Sequence, residues 1–288
     1  MTFSIVGRST DGAQLGVAVA SRCLAVGAAV PAARAGVGAI ATQALANLAY
    51  RPDGLALLAS GAVAQDVLDR LTAADELREH RQAGVVAAAG HGASWTGSQC
   101  LPWAGGAAGD GYALQGNILT GPEVTAAMER AWLGSDPGAP LARRLLAALA
   151  AGDQAGGDRR GRQAAALLVV SPEGGYGHGT DVAVDLRVDD LADPVPELGR
   201  LLGLHEMYFG RPDPADCLPL DGDLGDEVRV LLAAVGYAPE DGSLGATSAA
   251  LGTWAGVENL EERLVAGRID PVVLNHLRRG PAPGSRGR

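Results

Sequence analysis

Thr2 is the residue whose type and position point most directly to chemistry. It follows the initiator methionine, and methionine aminopeptidases remove Met1 when the next side chain is small. Removal would leave a free α-amine and a secondary hydroxyl on one residue. An α-amine has a pKa of about 7.7–8.0, so near neutral pH it can accept the proton of its own hydroxyl. Thr2 therefore predicts catalysis by an N-terminal threonine nucleophile. The alternative is that Thr2 is a structural residue that opens a strand.

Two further polar residues could assist such a nucleophile. Asn117 ends a predicted strand, where its carboxamide could stabilise a tetrahedral oxyanion, and turn formation explains it equally well. Asp158 lies in the segment GGDRRGRQ, where it could orient the α-amine, and the alternative there is a solvated turn. A substrate carboxylate could be bound by one of the arginines of the same segment, Arg159, Arg160 or Arg162.

The remaining candidates are predicted to line the pocket around Thr2. Ser21 and Arg22 end the second strand, and only one of them can face the site because successive strand side chains alternate. Thr42 and Gln43 close the third strand, although capping a strand explains them equally well. The predicted substrate-binding residues are Ser21, Arg22, Arg34, Thr42, Gln43, Arg160 and Gln163.

The composition excludes several other kinds of site. All 23 basic residues are arginine, which excludes Schiff-base lysines, Walker-type phosphate lysines and Ser–Lys dyads. A formal charge of −10 argues against a nucleic-acid surface. The histidines and the three distant cysteines show no metal-ligand or disulfide spacing, and the sequence places no activating base near Cys23 or Cys100. We expect no metal and no organic cofactor.

The expected location and partners follow from similar arguments. No signal-peptide pattern precedes the first strand, and no segment has the apolar length of a membrane-spanning helix. We therefore expect a cytoplasmic protein without membrane contact. Its expected partners are a small-molecule or peptide substrate and further copies of the same chain in a homo-oligomer.

The elements that must position Thr2 begin with a hairpin. Residues 2–8 alternate polar and apolar side chains, as a half-buried strand does, and residues 15–21 return after the Asp11-Gly12 turn. Further strands are predicted within 30–43 and at 81–89, 93–97, 112–119, 163–170 and 181–188, and helices at 52–58, 64–71, 122–133, 141–150 and 194–208. Runs of strands separated by helix pairs do not fit a βαβ sheet. They predict an α+β fold of two stacked, mainly antiparallel sheets covered by helical layers.

A segment rich in proline and aspartate, at 209–223, marks the predicted domain boundary. We predict a first domain over 1–210 and a small helical domain over 211–280, with short helices at 226–235 and 260–265. The tail at 281–288 is rich in Pro, Gly and Arg and is predicted to be disordered.

Several segments of the first domain resemble a known bacterial family. They are TFSIVGR, LGVAVASR, ARAGVGAIATQA, TGSQCLPWAGG, GNIL, GGDRRGRQAAALLVV and DLRVDD, which sample most of residues 2–210. The resemblance is to the DUF1028 family, which is placed within the N-terminal nucleophile (Ntn) hydrolase superfamily. It implies a four-layer αββα sandwich and hydrolysis of an amide or related acyl bond by Thr2, but it implies no particular substrate.

One departure from the Ntn pattern concerns the neighbours of the nucleophile. Many Ntn hydrolases place an acidic group or a lysine there, whereas the second strand here offers Ser21 and Arg22 and the third offers Arg34. A guanidinium can stabilise an anion, but it cannot act as a base near neutral pH.

The C-terminal segments GYAP and WAGVENLEERL resemble the peptidoglycan-binding-like domain that often ends members of the family. Peptidoglycan binding conflicts with the missing export signal, so we rank an intramolecular or oligomeric role above it. Trp254 is predicted to be a core anchor of this domain. The alternative to catalysis is a non-catalytic protein that binds a ligand or peptidoglycan on the same scaffold.

Overall fold

The computed structural model describes residues 2–280, and these form a mixed α+β structure, which confirms the predicted class. The strands are β1 (Thr2–Arg8), β2 (Leu15–Ser21), β3 (Pro31–Arg34), β4 (Gly38–Ala44), β5 (Arg81–Ala87), β6 (Ala93–Thr96), β7 (Gly105–Gly109), β8 (Tyr112–Asn117), β9 (Ala164–Val170), β10 (Val182–Val188), β11 (Leu218–Pro219) and β12 (Arg268–Ile269). The helices are α1 (Val26–Ala29), α2 (Tyr50–Ala59), α3 (Ala64–Ala73), α4 (Glu123–Leu133), α5 (Leu141–Gln154), α6 (Pro194–Phe209), α7 (Gly222–Ala234), α8 (Leu244–Val257) and α9 (Pro271–Arg279).

The first sheet has six antiparallel strands in the order β10-β9-β2-β1-β8-β7, so β1 lies in its middle. β1 and β2 form the predicted hairpin, with Phe3 opposite Ala20. In its turn, Gly12 has a φ of 75°, a conformation that glycine adopts without strain. On the other side of β1, Thr2 lies opposite Asn117. The register therefore places the start of β1 between the ends of β2 and β8.

The alternation of polar and apolar residues in β1 predicts a half-buried strand. In the structure, however, the side chains of β1 are buried on both faces of the sheet. Phe3 and Ile5 pack in the apolar cluster that includes residues of α4 and α5. Val6 packs in a second cluster, which the two sheets share. Ser4 lies on the Val6 face, where its hydroxyl donates to Gln43 Oε1 at 2.7 Å. The polar residue in the pattern thus marks a buried hydrogen bond rather than contact with solvent.

The second sheet has four antiparallel strands in the order β3-β4-β5-β6. One face contributes Ala39, Ala41 and Val86 to the apolar cluster shared with the first sheet. Its other face packs against α2 and α3 through a cluster that includes Ile40 and Leu68. The first sheet is covered on its outer face by α4 and α5. The two sheets therefore face each other, and a pair of helices covers each outer face.

The chain divides into two compact units after Leu202, within α6. This division lies earlier than the predicted one at residue 210, because Met207 and Tyr208 pack against the core of the second unit. Arg263 also donates to the carbonyls of Glu206 and Met207, at 2.5 and 2.6 Å. The last turn of α6 is therefore fixed to the second unit.

The second unit consists mainly of helices around its own apolar core. Trp254 lies in this core and is 4% exposed, which confirms its predicted role as an anchor. The prediction of a helix at 260–265 is wrong, because only a 3₁₀ turn, Glu261–Arg263, forms there. Helices α8 and α9 were not predicted. The tail at 281–288 lies outside the described residues, so its predicted disorder stays a prediction.

Candidate functional site

Thr2 opens β1 at the point where three strands of the first sheet meet. Its hydroxyl donates to the Ser21 hydroxyl at 3.2 Å, and both side chains are buried. Asn117 lies directly across from Thr2 on the other neighbouring strand. The hairpin register brings Ser21 to this position, since Phe3 pairs with Ala20 one residue further along each strand. The structure therefore brings together three of the predicted site residues.

Two buried carboxamides hold the backbone carbonyl of Thr2. Gln43 Nε2 donates to this oxygen at 3.2 Å, and Asn117 Nδ2 donates to it at 3.5 Å. Asn117 Nδ2 also donates to Gln82 Oε1 at 2.9 Å. A carboxamide nitrogen carries two protons, and both protons of Asn117 therefore have acceptors. This arrangement favours a positioning role for Asn117 over the predicted oxyanion role. Gln43 likewise contacts Thr2 itself, whereas it was predicted to bind substrate.

A network of neutral polar side chains lies behind Thr2, between the two sheets. Gln43 Nε2 donates to Gln82 Oε1 at 2.8 Å, and Gln115 Nε2 donates to the Ser4 hydroxyl at 2.6 Å. Sequence reasoning missed Gln82 and Gln115, which are fully buried. The sequence did show a glutamine inside each of the strands RQAGVVA and YALQGN. A glutamine at such a position is more simply explained as facing solvent, so neither was predicted to belong to the site.

Gly84 in β5 is required by the packing of this network. A Cβ atom at Gly84 would lie 2.1 Å from Gln115 Oε1, and the Gln115 side chain is held by Ser4. We expect Gly84→Ala to lower the free energy of unfolding by about 1–3 kcal/mol, measured by urea denaturation, because the collision overpacks the interior. Gly121→Ala is the control, since a Cβ there meets nothing within 4 Å. Equal stability of the two variants would contradict the expectation.

Asp158 fixes the end of β2 beside Ser21. Its Oδ2 accepts from the backbone N–H of Arg22 at 2.8 Å, and its Oδ1 accepts from the backbone N–H of Arg160 at 2.8 Å. A β-bridge between Asp158 and Leu119 attaches this loop to the chain just beyond β8. Asp158 therefore joins the two strand ends that flank Thr2. Its carboxylate accepts from two backbone N–H groups and from the Arg160 guanidinium.

The predicted arginines differ in their surroundings. Arg22 is exposed, and its Nη1 donates to the carbonyl of Arg160 at 2.5 Å. The Arg160 guanidinium is 45% exposed and lies 3.4 Å from Asp158 Oδ2. Arg162 pairs instead with Asp153 at 2.7 Å. Ser21 is therefore the residue of the predicted pair Ser21 and Arg22 that faces Thr2, while the Arg22 guanidinium binds the loop that contains Asp158.

Three predicted substrate-binding residues do not contact this cluster. Arg34 lies opposite Gly38, at the far end of β4 from Gln43. Thr42 points to the opposite face of β4 from Gln43, because strand side chains alternate, and its hydroxyl donates to the carbonyl of Asn47 at 3.2 Å. The Gln163 carboxamide donates to Asp190 at 3.1 Å. We therefore withdraw these three residues from the site.

Backbone strain accompanies the two amides that hold Thr2. Ala44 directly follows Gln43 and has a φ of 69°, and Ile118 directly follows Asn117 and has a φ of 50°. Such conformations cost roughly 1–3 kcal/mol each and persist only where the surroundings enforce them. The Ile118 N–H donates to the carbonyl of Leu101 at 2.9 Å, and its carbonyl accepts from Arg159 at 3.2 Å. The strain therefore lies beside both residues that position the Thr2 carbonyl.

Exposed leucines occupy three loops at the same end of the sheets. Leu24 follows β2, Leu45 follows β4, and the carbonyl of Leu101 binds Ile118 next to Asn117. Their exposed fractions are 64%, 55% and 62%. Single exposed leucines are ordinary on a protein surface. Here, however, three loops that follow or bind strand ends around Thr2 each carry one, so the surface around the site is partly apolar.

Other kinds of chemistry find less support in residues 2–280. Burial raises the pKa of the half-buried Cys100 thiol, which disfavours the thiolate that a cysteine nucleophile needs. Within this range, no group of three His, Cys, Asp or Glu side chains is placed to hold a metal ion. Over the same residues, no helix is both long and apolar enough to cross a bilayer.

Comparison with known proteins shows the family to which the chain belongs. Residues 2–198 match the "Family of unknown function (DUF1028)", and residues 208–277 match the "Putative peptidoglycan binding domain". A crystal structure of a DUF1028 protein from Silicibacter pomeroyi superposes with a TM-score of 0.64 and 28% sequence identity, covering 78% of this chain and 92% of that chain. No curated protein matches the chain. Because the first match spans more than half of its length, the chain belongs to the DUF1028 family.

Proposed function

We propose that this protein is an N-terminal nucleophile hydrolase that cleaves an amide or related acyl bond, with Thr2 as its nucleophile. The observation that carries the proposal is the position of Thr2 at the start of a central strand. There its hydroxyl contacts Ser21 and its carbonyl is held by two buried amides. The proposal also concerns the fold: the two facing sheets and their outer helices form the four-layer αββα sandwich of Ntn hydrolases.

The proposed reaction uses two groups of one residue. After Met1 is removed, the Thr2 hydroxyl oxygen attacks the substrate carbonyl carbon, and the α-amine accepts the hydroxyl proton. The amine passes this proton to the leaving nitrogen as the C–N bond breaks, which leaves an ester on Thr2. A water molecule, deprotonated by the same amine, then hydrolyses the ester. In this scheme Gln43 and Asn117 position the Thr2 backbone, and Asp158 positions the strand end at Ser21.

The surroundings of Thr2 favour a substrate with an apolar acyl group and an acidic group. Leu24, Leu45 and Leu101 offer apolar contacts at the site's end of the sheets. The Arg160 guanidinium lies beside Asp158, which binds the backbone N–H of the residue after Ser21, and it suits a carboxylate. N-acyl amino acids combine both features, so we place them first among the amides, ureido compounds and short peptides to be screened.

Intact-mass spectrometry of the purified full chain tests the first requirement of the proposal. We expect a mass without the initiator methionine, because only then is the α-amine of Thr2 free. Screening the amide library for product release that disappears in the Thr2→Ala variant tests the second requirement. Met1 retained on all molecules would favour the non-catalytic alternative, in which the site binds a ligand without cleaving it.

A second candidate function concerns the C-terminal unit, and the family match over 208–277 favours it. Trp254 is buried, so an exposed tryptophan does not supply the binding surface. A cavity of about 310 Å³ lies instead between the GYAP segment and α8, lined by Tyr237, Ala246, Ala249, Ala250 and Thr253 among others. We propose this cavity as the site at which the unit binds a peptidoglycan fragment.

Co-sedimentation of the full chain with isolated peptidoglycan tests this second function. We expect Ala249→Arg to reduce the sedimented fraction several-fold, since the long side chain fills the cavity. Val230→Arg is the matched control, because Val230 is 69% exposed on α7 and does not line the cavity. Absence of the wild-type chain from the pellet would reject peptidoglycan binding and favour the intramolecular or oligomeric role.

A further inference from the structure

Gln82 lies at the centre of the buried network behind Thr2. Its Oε1 accepts from Gln43 Nε2 at 2.8 Å and from Asn117 Nδ2 at 2.9 Å. Its Nε2 donates to the carbonyl of Gly116 at 2.7 Å and to the Thr96 hydroxyl at 2.9 Å. A carboxamide has two protons and two acceptor lone pairs. All four are used here, and the side chain is fully buried.

The two donors that Gln82 accepts are the same two amides that reach the Thr2 carbonyl. Gln43 divides its amide between Gln82, the Thr2 carbonyl and the Gln115 carbonyl, and Asn117 divides its amide between Gln82 and Thr2. Without an acceptor at Gln82, each of these amides would lose its shorter bond to that side chain. Each would then be free to turn away from Thr2. Because all four hydrogen-bonding positions of Gln82 are used, its side chain holds both amides in one arrangement.

We propose that Gln82 is a positioning residue for Thr2, acting through Gln43 and Asn117. The proposal rests on the proposed function, in which Thr2 is the nucleophile. Gln82 touches neither Thr2 nor a substrate, so its effect is to hold the Thr2 carbonyl and hence the direction of the hydroxyl and the α-amine. Amides and hydroxyls do not titrate in the pH range in which proteins work. The Gln82, Gln43 and Asn117 side chains therefore hold Thr2 equally at acidic and basic pH.

Gln115 provides the matched control. It is as buried as Gln82 and belongs to the same network, but its side chain contacts Ser4 rather than Gln43 Nε2 or Asn117. Gln43 reaches Gln115 through the backbone carbonyl, which a substitution leaves in place. Gln82→Met and Gln115→Met thus remove one buried carboxamide each, and only the first removes the acceptor shared by the two amides.

The experiment measures acylation of Thr2 by a panel of β-lactones, using full-length chains shown by intact mass to begin at Thr2. The Thr2 oxygen bonds to the lactone carbonyl carbon, the ring C–O bond breaks, and the hydroxyl proton passes through the α-amine to the new alkoxide. The adduct therefore carries the full lactone mass. We expect the maximal acylation rate of Gln82→Met to fall by about 10–100-fold with little change in lactone affinity, because misplacement of a reacting group costs rate. Gln115→Met should keep most of the rate.

A second measurement is independent of reactivity. Proton exchange of the Gln43 and Asn117 side-chain amides, followed by NMR, should be slow in the wild type and in Gln115→Met and much faster in Gln82→Met. Equal acylation rates in the two variants, or unchanged exchange in Gln82→Met, would overturn the positioning role. A wild type that begins at Thr2 and remains unlabelled by every lactone, with its amides still protected, would overturn the proposed function, and the role of Gln82 in catalysis with it.

Discussion

Replacing Thr2 with alanine will abolish turnover of any substrate that the amide library reveals. We expect the rate to fall by about 10⁴-fold or more, because loss of a nucleophile removes the covalent route entirely. The measurement is product release under saturating substrate, with the intact mass of each variant recorded beforehand. Alanine is small enough for methionine removal, so the variant should still expose an α-amine and differ from the wild type only in its side chain.

Thr2→Ser is the matched control for this prediction. Serine keeps the hydroxyl that donates to Ser21 and loses only a methyl group. It should therefore retain a measurable fraction of the rate and form the same ester adduct. Turnover that persists unchanged in Thr2→Ala would end the claim that Thr2 is the nucleophile.

Asp75→Asn should destabilise the first unit more than any other single substitution considered. Asp75 Oδ2 accepts from Arg81 Nε at 2.9 Å, from Asn47 Nδ2 at 2.9 Å and from the Tyr50 hydroxyl at 3.0 Å. The side chains of Asp75 and Arg81 are only 8% and 11% exposed. Removing one charge of such a pair leaves the other buried without compensation, so we expect a loss of about 3 kcal/mol in the free energy of unfolding.

The loss should depend on pH in a defined direction. The hydrogen bond from Arg81, helped by those from Asn47, Leu77 and Tyr50, holds the pKa of the Asp75 carboxyl well below its usual range against the opposing effect of burial. A carboxyl with a lowered pKa stabilises the fold above its unfolded pKa, which is about 3.9, and this stabilisation disappears as pH falls through the folded pKa. The difference between wild type and Asp75→Asn should therefore be full at pH 7 and shrink below about pH 4.

Urea denaturation at pH 7, 5 and 3 measures this difference. Asp53→Asn serves as the control, because Asp53 is an exposed carboxylate on α2 and should change the stability little at any of these values. A difference between wild type and Asp75→Asn that stays constant down to pH 3 would contradict the assignment of the charge to Asp75.

The immediate neighbours of Thr2 could be predicted because they follow from local rules. The Asp11-Gly12 turn fixes the hairpin register, and the register places Ser21 beside Thr2. Asn117 was found because it ends a recognisable strand, although its partner strand could not be known from the sequence. The same local rules misplaced Thr42, since sequence gives the alternation along β4 but not which face meets Thr2.

The network behind Thr2 could not be predicted, because its contacts join residues that are distant in sequence. Gln82 and Gln115 each interrupt an apolar strand, and only the meeting of the two sheets turns those positions into an interior. Two other elements were missed because of their amino-acid composition. β7 is built from glycine and alanine, and α8 carries small or apolar residues on most of its surface, so neither shows the periodicity that identifies an element.

The amide contacts at Thr2 also set an order of events during synthesis. Thr2 leaves the ribosome before the residues that hold its carbonyl, and the second of these, Asn117, follows 115 positions later. Contacts of such long sequence separation form slowly, since the intervening chain must first be arranged. The nascent chain therefore carries an unpositioned threonine until both sheets have assembled. A partly made or misfolded copy would hold the hydroxyl and the amine without their arrangement, so the hydrolytic capacity proposed for this chain would arise only as folding finishes.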